Sequence, residues 1–206
     1  MHSNQPADIR RGTRNLFLAL AVWGVAVALA AQAGVYRAIY PPLIGPIVAA
    51  GILIPAATYA AADGFRGYIE AIGLRPLTLF HVWRIPAALL FFWYGAHDLL
   101  PPVFVRNAGW GDLLAGILAV VVILLPESRN RYLAFHLFGF ADFVVAVGTG
   151  LTFTLLADPR MDGIRTLPLA LIPLYGVGIS GASHLMAFDL LRRGKGLRGE
   201  RELLHA

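Results

Sequence analysis

The residues able to do chemistry in this chain are few, and most lie where an ionisable group is expensive. Asp142 sits within HLFGFADFVVAVGTG (residues 136–150), inside an apolar run over residues 132–156. His136 and His184 fall in two consecutive apolar runs. His81 and Arg84 lie one helical turn apart in an earlier run. His97, Asp98 and Asp112 form a smaller group near the ends of two runs. There is no cysteine, which removes disulfides, thiolate metal sites and thiol catalysis together.

An ionisable side chain at mid-bilayer costs at least ~2.5–3.5 kcal/mol, so it turns into the bundle and finds a partner. Counting from Tyr132 along a helix puts Asp142 about 15 Å deep. Its own face carries Gly139, Ala146 and Thr149, and the opposite face carries Phe140, Val144, Val147 and Leu151. Asp142 is therefore expected to point inward and to neutralise Arg84 or orient a histidine. His81, Arg84, His136 and His184 are expected to converge in depth near it, with His97, Asp98 and Asp112 at the outer end. A His/Arg/Asp set of this kind suits a path for protons or a small solute in a channel- or transporter-like protein.

Other chemistries rank lower. A b-type haem would take two of His136, His184 and His81 as axial ligands, with Gly139 and Gly181 admitting the ring. A metal site on His81, His136 and His184 with Asp142 ranks below haem, because no tight H-x-x-x-H pair is present, and no metal ligand is assigned. A further alternative has no chemistry at all: an ion pair that fixes helix register in a membrane subunit or scaffold. No catalytic residue is assigned and no enzymatic activity is expected.

The elements that must position these groups are helices in lipid. The 206 residues are 58% hydrophobic and 14% charged, with a mean hydropathy of +0.67. Soluble domains carry roughly a quarter charged residues. The net charge of +5 would suggest nucleic acid in a soluble protein; here its distribution matters more, and no nucleic-acid partner is expected. Six spans are expected, over residues 15–36, 42–62, 77–100, 111–125, 132–156 and 167–191, giving an all-α bundle. They follow a basic amino-terminal segment (1–14) and precede a basic tail (192–206), both expected in the cytoplasm.

The cations support that count. One side receives Arg10, Arg11, Arg14, Arg66, Arg75, Arg84, Arg129, Arg131, Arg192, Arg193, Lys195, Arg198 and Arg201. The other receives only Arg37, Arg106, Arg160 and Arg165. With both termini inside, the split obeys the positive-inside rule, and an odd number of spans would misplace the tail. Residues 10–33 also resemble a signal peptide ending in Ala31-Gln32-Ala33, but the apolar stretch is long for one, so retention is expected. The segment DGFRGYIEAIGLRP (63–76) reads as an interfacial connector with Arg66, Glu70 and Arg75 outward. The bilayer is the expected partner, together with a second copy of the chain or a membrane subunit.

Two short patterns remain. Residues 109–116 (GWGDLLAG) echo residues 139–146 (GFADFVVA), but Asp112 is expected at a span end and Asp142 mid-span, so chance is the preferred explanation. Gly178-Ile179-Ser180-Gly181 resembles the G-x-S-G of rhomboid proteases over four residues. That family draws its histidine from a later span, and none follows here, so Gly176, Gly178, Ser180 and Ala182 are read as helix-packing positions. The only lysine, Lys195, lies in the tail, which excludes a retinal protein. The stretches LPPVFVRNAGWGDLLAGILA and HLFGFADFVVAVGTG resemble a pattern in polytopic bacterial inner-membrane proteins of no assigned activity. That resemblance covers the last four spans and implies a class and a location, not a mechanism.

Overall fold

In lipid every backbone N–H and C=O must be paired within its own segment, and helices do this. The structure, a computed structural model, describes residues 5–197 and is helical throughout, with no strand among the described residues. The tail positions Arg198 and Arg201 lie outside the described residues. The main helices are α1 (Gln5–Gln32), α2 (Ile44–Ala61), α3 (Asp63–Ile72), α4 (Leu74–Phe80), α5 (Arg84–Ala96), α6 (Trp110–Leu124), α7 (Arg129–Leu155) and α8 (Val177–Arg192).

Five stretches are long and apolar enough to cross a membrane by length and composition: Asp8–Gln32, Pro41–Ala61, Leu74–Ala96, Pro102–Leu124 and Arg129–Leu155. The third joins α4 to α5 through a tight turn at His81–Trp83. The fourth begins at Pro102, nine residues before the expected start, and passes through a wide π turn at Val105–Gly109 before α6. Residues 172–192 form a sixth helical segment, a π turn at Ile172–Gly176 followed by α8. Its glycines, serines, His184 and Asp189 dilute its hydropathy. It has less need of apolar character, because α2, α7 and α4 cover it and most of its residues are buried. A Cβ at Gly178 would stand 2.9 Å from the Gly51 carbonyl oxygen, so α2 and α8 touch backbone to backbone there.

Around this core the apolar pattern is reversed from a soluble protein. Phe17, Leu18, Val22, Val25 and Leu29 on α1, Leu53 and Ile54 on α2, and Val144 and Leu155 on α7 are exposed. An apolar surface this extended, on helices long enough to span a bilayer, suggests association with a membrane.

The helix ends collect into two groups. At one, Tyr68 donates to Thr13 Oγ1 at 3.1 Å, Lys195 donates to Glu70 Oε2 at 2.8 Å, and Arg129 donates to the Leu191 carbonyl at 3.1 Å. Glu70 thus turns toward Arg193 and Lys195 instead of outward as the connector reading has it. At the other end, Arg165 donates to the carbonyls of Arg37 and Ile39, both at 3.1 Å, and Arg160 pairs with Asp98 at 3.2 Å. Two apolar layers lie between: one around Tyr59, Leu74, Tyr132 and Leu190, the other around Phe91, Phe104, Met161 and Ile172. Apart from Arg165 at that second end, the buried charged and imidazole side chains are Arg84, Asp112, His81, His136 and His184, and His81 and Arg84 fall in the chain between Leu77 of the first layer and Ala87 of the second.

Candidate functional site

Arg84 is the first residue of α5, placed by the turn that ends α4. That turn reverses nothing; it only tightens the chain, so His81 and Arg84 both face the bundle interior and are buried. Arg84 Nε donates to Asp112 Oδ1 at 2.6 Å. Its Nη2 donates to Asp142 Oδ2, and its Nη1 donates to the Gly139 carbonyl at 3.3 Å. The three side chains are 3%, 10% and 9% exposed.

Asp112 is the surprise in this set. The expectation places it at the outer end of a span beginning at residue 111. Because the fourth helical stretch begins at Pro102, Asp112 lies ten residues along it, about 15 Å from its start at helical rise. It therefore reaches the depth of Arg84 and leaves the outer group. The echo between residues 109–116 and 139–146 is the signal that could have found it, since its two aspartates meet on one guanidinium. The rest of the outer group disperses: His97 is exposed and bonded through Nδ1 to the Trp93 carbonyl, and Asp98 is exposed beside Arg160.

His81, His136 and His184 come together from three segments: the turn after α4, α7 and α8. All three are fully buried. Ring centroids are 4.1 Å apart for His81 and His184, and 5.1 Å for His136 and His184. His136 Nδ1 lies 2.9 Å from His184 Nδ1. Thr78 Oγ1 lies 3.2 Å from His136 Nε2, and Ser183 Oγ lies 3.0 Å from His81 Nε2. His81 Nδ1 and His184 Nε2 are buried without a hydrogen-bond partner. Phe135, Phe140 and Phe188 pack around the imidazoles.

This packing corrects two expectations. A haem between His136 and His184 does not fit, because the two rings are in direct contact and leave no plane for a macrocycle. The ranking of a metal below haem reverses, because the ligands that no single helix supplies come from three. Asp142 is not part of the trio, being held on Arg84. Ser180 accepts from Trp83 Nε1 at 3.0 Å, and the serine that meets a histidine is Ser183.

Gly139 separates the two clusters. A Cβ there would stand 2.8 Å from His184 Cε1 and 3.6 Å from Arg84 Nη1, so only glycine lets both side chains approach this point of α7. Beside Arg84 opens a pocket of about 460 Å³. Its wall is apolar, with Phe91, Phe104, Phe143 and Met161, and its polar end is Arg84, Asp112 and Ser180. It lies between α2 and α7, and Pro46, Ala49 and Leu151 in its wall are exposed on the outside of the bundle.

Comparison with known proteins places this arrangement in a family. Residues 41–192 match the family described as Domain of unknown function (DUF8737), a span that holds both clusters and the whole pocket wall. Searches of curated proteins and of solved structures find no match. With the match covering well over half of the chain, the protein belongs to the DUF8737 family.

Proposed function

We propose that this protein crosses a bacterial-type inner membrane six times, with both termini in the cytoplasm, and conducts protons past a pocket that holds a small, largely apolar solute. One observation carries the reading: an apolar pocket that reaches the lipid-facing surface and ends on Arg84 and Asp112. Formal charges on Arg84, Asp112 and Asp142 sum to −1 when both carboxyls are ionised. That surplus in a buried site is relieved by a proton or by a cationic or donor group on a solute. A solute with an apolar body and one polar end matches both ends of the pocket. The charge asymmetry of the loops supports the orientation, and the exposed face of α1 is the surface we assign to a second copy or a membrane subunit.

The transport reading is tested in vesicles of bacterial lipid holding the purified protein and an internal pH dye. An imposed inside-negative potential should acidify wild-type vesicles faster than protein-free ones, and Asp142→Asn should return the rate to the protein-free value. Equal rates with and without wild-type protein would refute it. The topology is tested with single cysteines in this cysteine-free chain. Asp98→Cys should react with an impermeant maleimide in intact cells, and Lys195→Cys only after lysis.

A further inference from the structure

We propose that His81, His136 and His184 bind one transition-metal dication of the zinc type. The solute pocket does not involve them, so this site stands apart from the transport reading.

Three imidazoles buried together need a reason, since buried polar groups are nearly always hydrogen-bonded. Here two ring nitrogens, His81 Nδ1 and His184 Nε2, have no partner. For His81, hydrogen bonding on the far side of the ring explains which nitrogen is bare. Ser183 has one hydroxyl hydrogen, and it is donated to the Ser180 carbonyl at 2.8 Å. Toward His81 Nε2, at 3.0 Å, Ser183 is therefore the acceptor. Nε2 carries the proton of His81, and the lone pair is left on Nδ1. Thr78 Oγ1, 3.2 Å from His136 Nε2, is placed where it can accept from that nitrogen and leave Nδ1 bare. Metal-binding histidines are oriented in this way, the ring nitrogen away from the metal facing a fixed group, and His81 and His136 have such a group in Ser183 and Thr78.

The geometry fits one ion. One ligand nitrogen from each histidine can be chosen so that all lie within 4.8 Å of one another. Ligands at Zn–N distances of ~2.0–2.1 Å in a tetrahedron lie about 3.3 Å apart. The 2.9 Å contact of His136 Nδ1 and His184 Nδ1 is one edge, held without metal by a single shared proton. Both rings are neutral in that contact, so metal binding at Nδ1 moves the proton to the free Nε2 of His184 and adds two positive charges. Neutral imidazoles select zinc, cobalt, nickel or copper over magnesium or calcium, which take oxygen ligands. Three protein ligands leave a fourth position for water, as in catalytic zinc sites.

The test uses the full chain purified in mild detergent without chelator, and elemental analysis should find close to one zinc per chain. Protein stripped with chelator should then take up Co²⁺ with the intense visible bands of a four-coordinate ion. His81→Ala and His184→Ala should lose these bands, and His97→Ala should keep them. Should the alanine variants fail to fold, Ser183→Ala provides the second reading. It leaves all three ligands in place and should weaken Co²⁺ binding about tenfold to a hundredfold. Stripped wild type that takes up neither Zn²⁺ nor Co²⁺ would overturn the proposal. So would Co²⁺ bands unchanged in both His81→Ala and Ser183→Ala.

Discussion

Two carboxylates on one buried guanidinium make a sharp prediction about non-additivity. Asp142→Asn removes one negative charge, but Asp112 still holds Arg84 at 2.6 Å and the new amide oxygen can still accept from Nη2. The loss is the difference between a charged and a neutral hydrogen bond, about 1 kcal/mol. Asp112→Asn should cost the same by the same argument. The double variant leaves the guanidinium, 3% exposed, with no counter-charge in the cluster. Breaking a buried pair in that way costs about 3–5 kcal/mol. The two substitutions should therefore couple by at least ~1 kcal/mol, within the range seen for residues sharing one network. Thermal unfolding in detergent, followed by helical circular dichroism, reads this as a fall of about 2–4 °C for each single variant, and a fall on the order of 10 °C for the double. A double variant that falls only by the sum of the singles would refute the shared-cation account. So would a single variant that falls as far as the double, since it would show one carboxylate carrying the whole pair. The single variant is also the one that should lose proton flux, so its mild unfolding cost is what separates a functional carboxylate from a structural one.

Three further perturbations probe other parts of the fold. Gly139→Ala should destabilise by about 1–3 kcal/mol through overpacking against the His184 ring, although alanine is the better helix former; an unchanged melting temperature would mean that the ring is free to move. Burial raises the Glu70 carboxyl, but hydrogen bonds from Lys195 and Arg193 outweigh it and hold it below its ordinary 4.5. A depressed value stabilises the fold above pH 4.5 and loses that contribution as pH falls through the folded value, so Glu70→Gln should flatten the acid limb of a melting-temperature profile; matching profiles would refute the clasp. Ala146→Trp fills the pocket from α7 and should abolish flux while the melting temperature stays near wild type.

The helical class was legible in the sequence because lipid leaves the backbone no other local solution. Four expected spans differ from the structure by only a few residues at most ends. The fourth differs most, and the cause is local: Pro102 opens a helix, and the π turn at Val105–Gly109 carries it past Arg106, Asn107 and two small residues. Hydropathy reads those residues as loop. The sixth expected span, 167–191, is a helical segment over 172–192 that is not among the five stretches long and apolar enough to cross by composition, because its glycines, serines and His184 are enclosed by α2 and α7.

The site was legible in its chemistry and not in its grouping. Depth counting along one helix brings Arg84, Asp142 and three histidines to similar levels, but depth has no angular coordinate. Arg84 and His184 lie on opposite approaches to Gly139, so one level holds two networks, an ion cluster and an imidazole cluster. The rotation of each helix about its axis decides which network a residue joins, and neighbouring helices set that rotation. The backbone contact at Gly178 and Gly51 fixes α8 against α2, while Ser183 turns His81 away from Arg84 and toward His184. A hydroxyl with no role in the sequence reading thus stands against the histidine and helps to set which partner it meets. The same hydroxyl sets the tautomer that leaves His81 Nδ1 bare, so Ser183 is both a reason the histidines group and a reason they suit a cation.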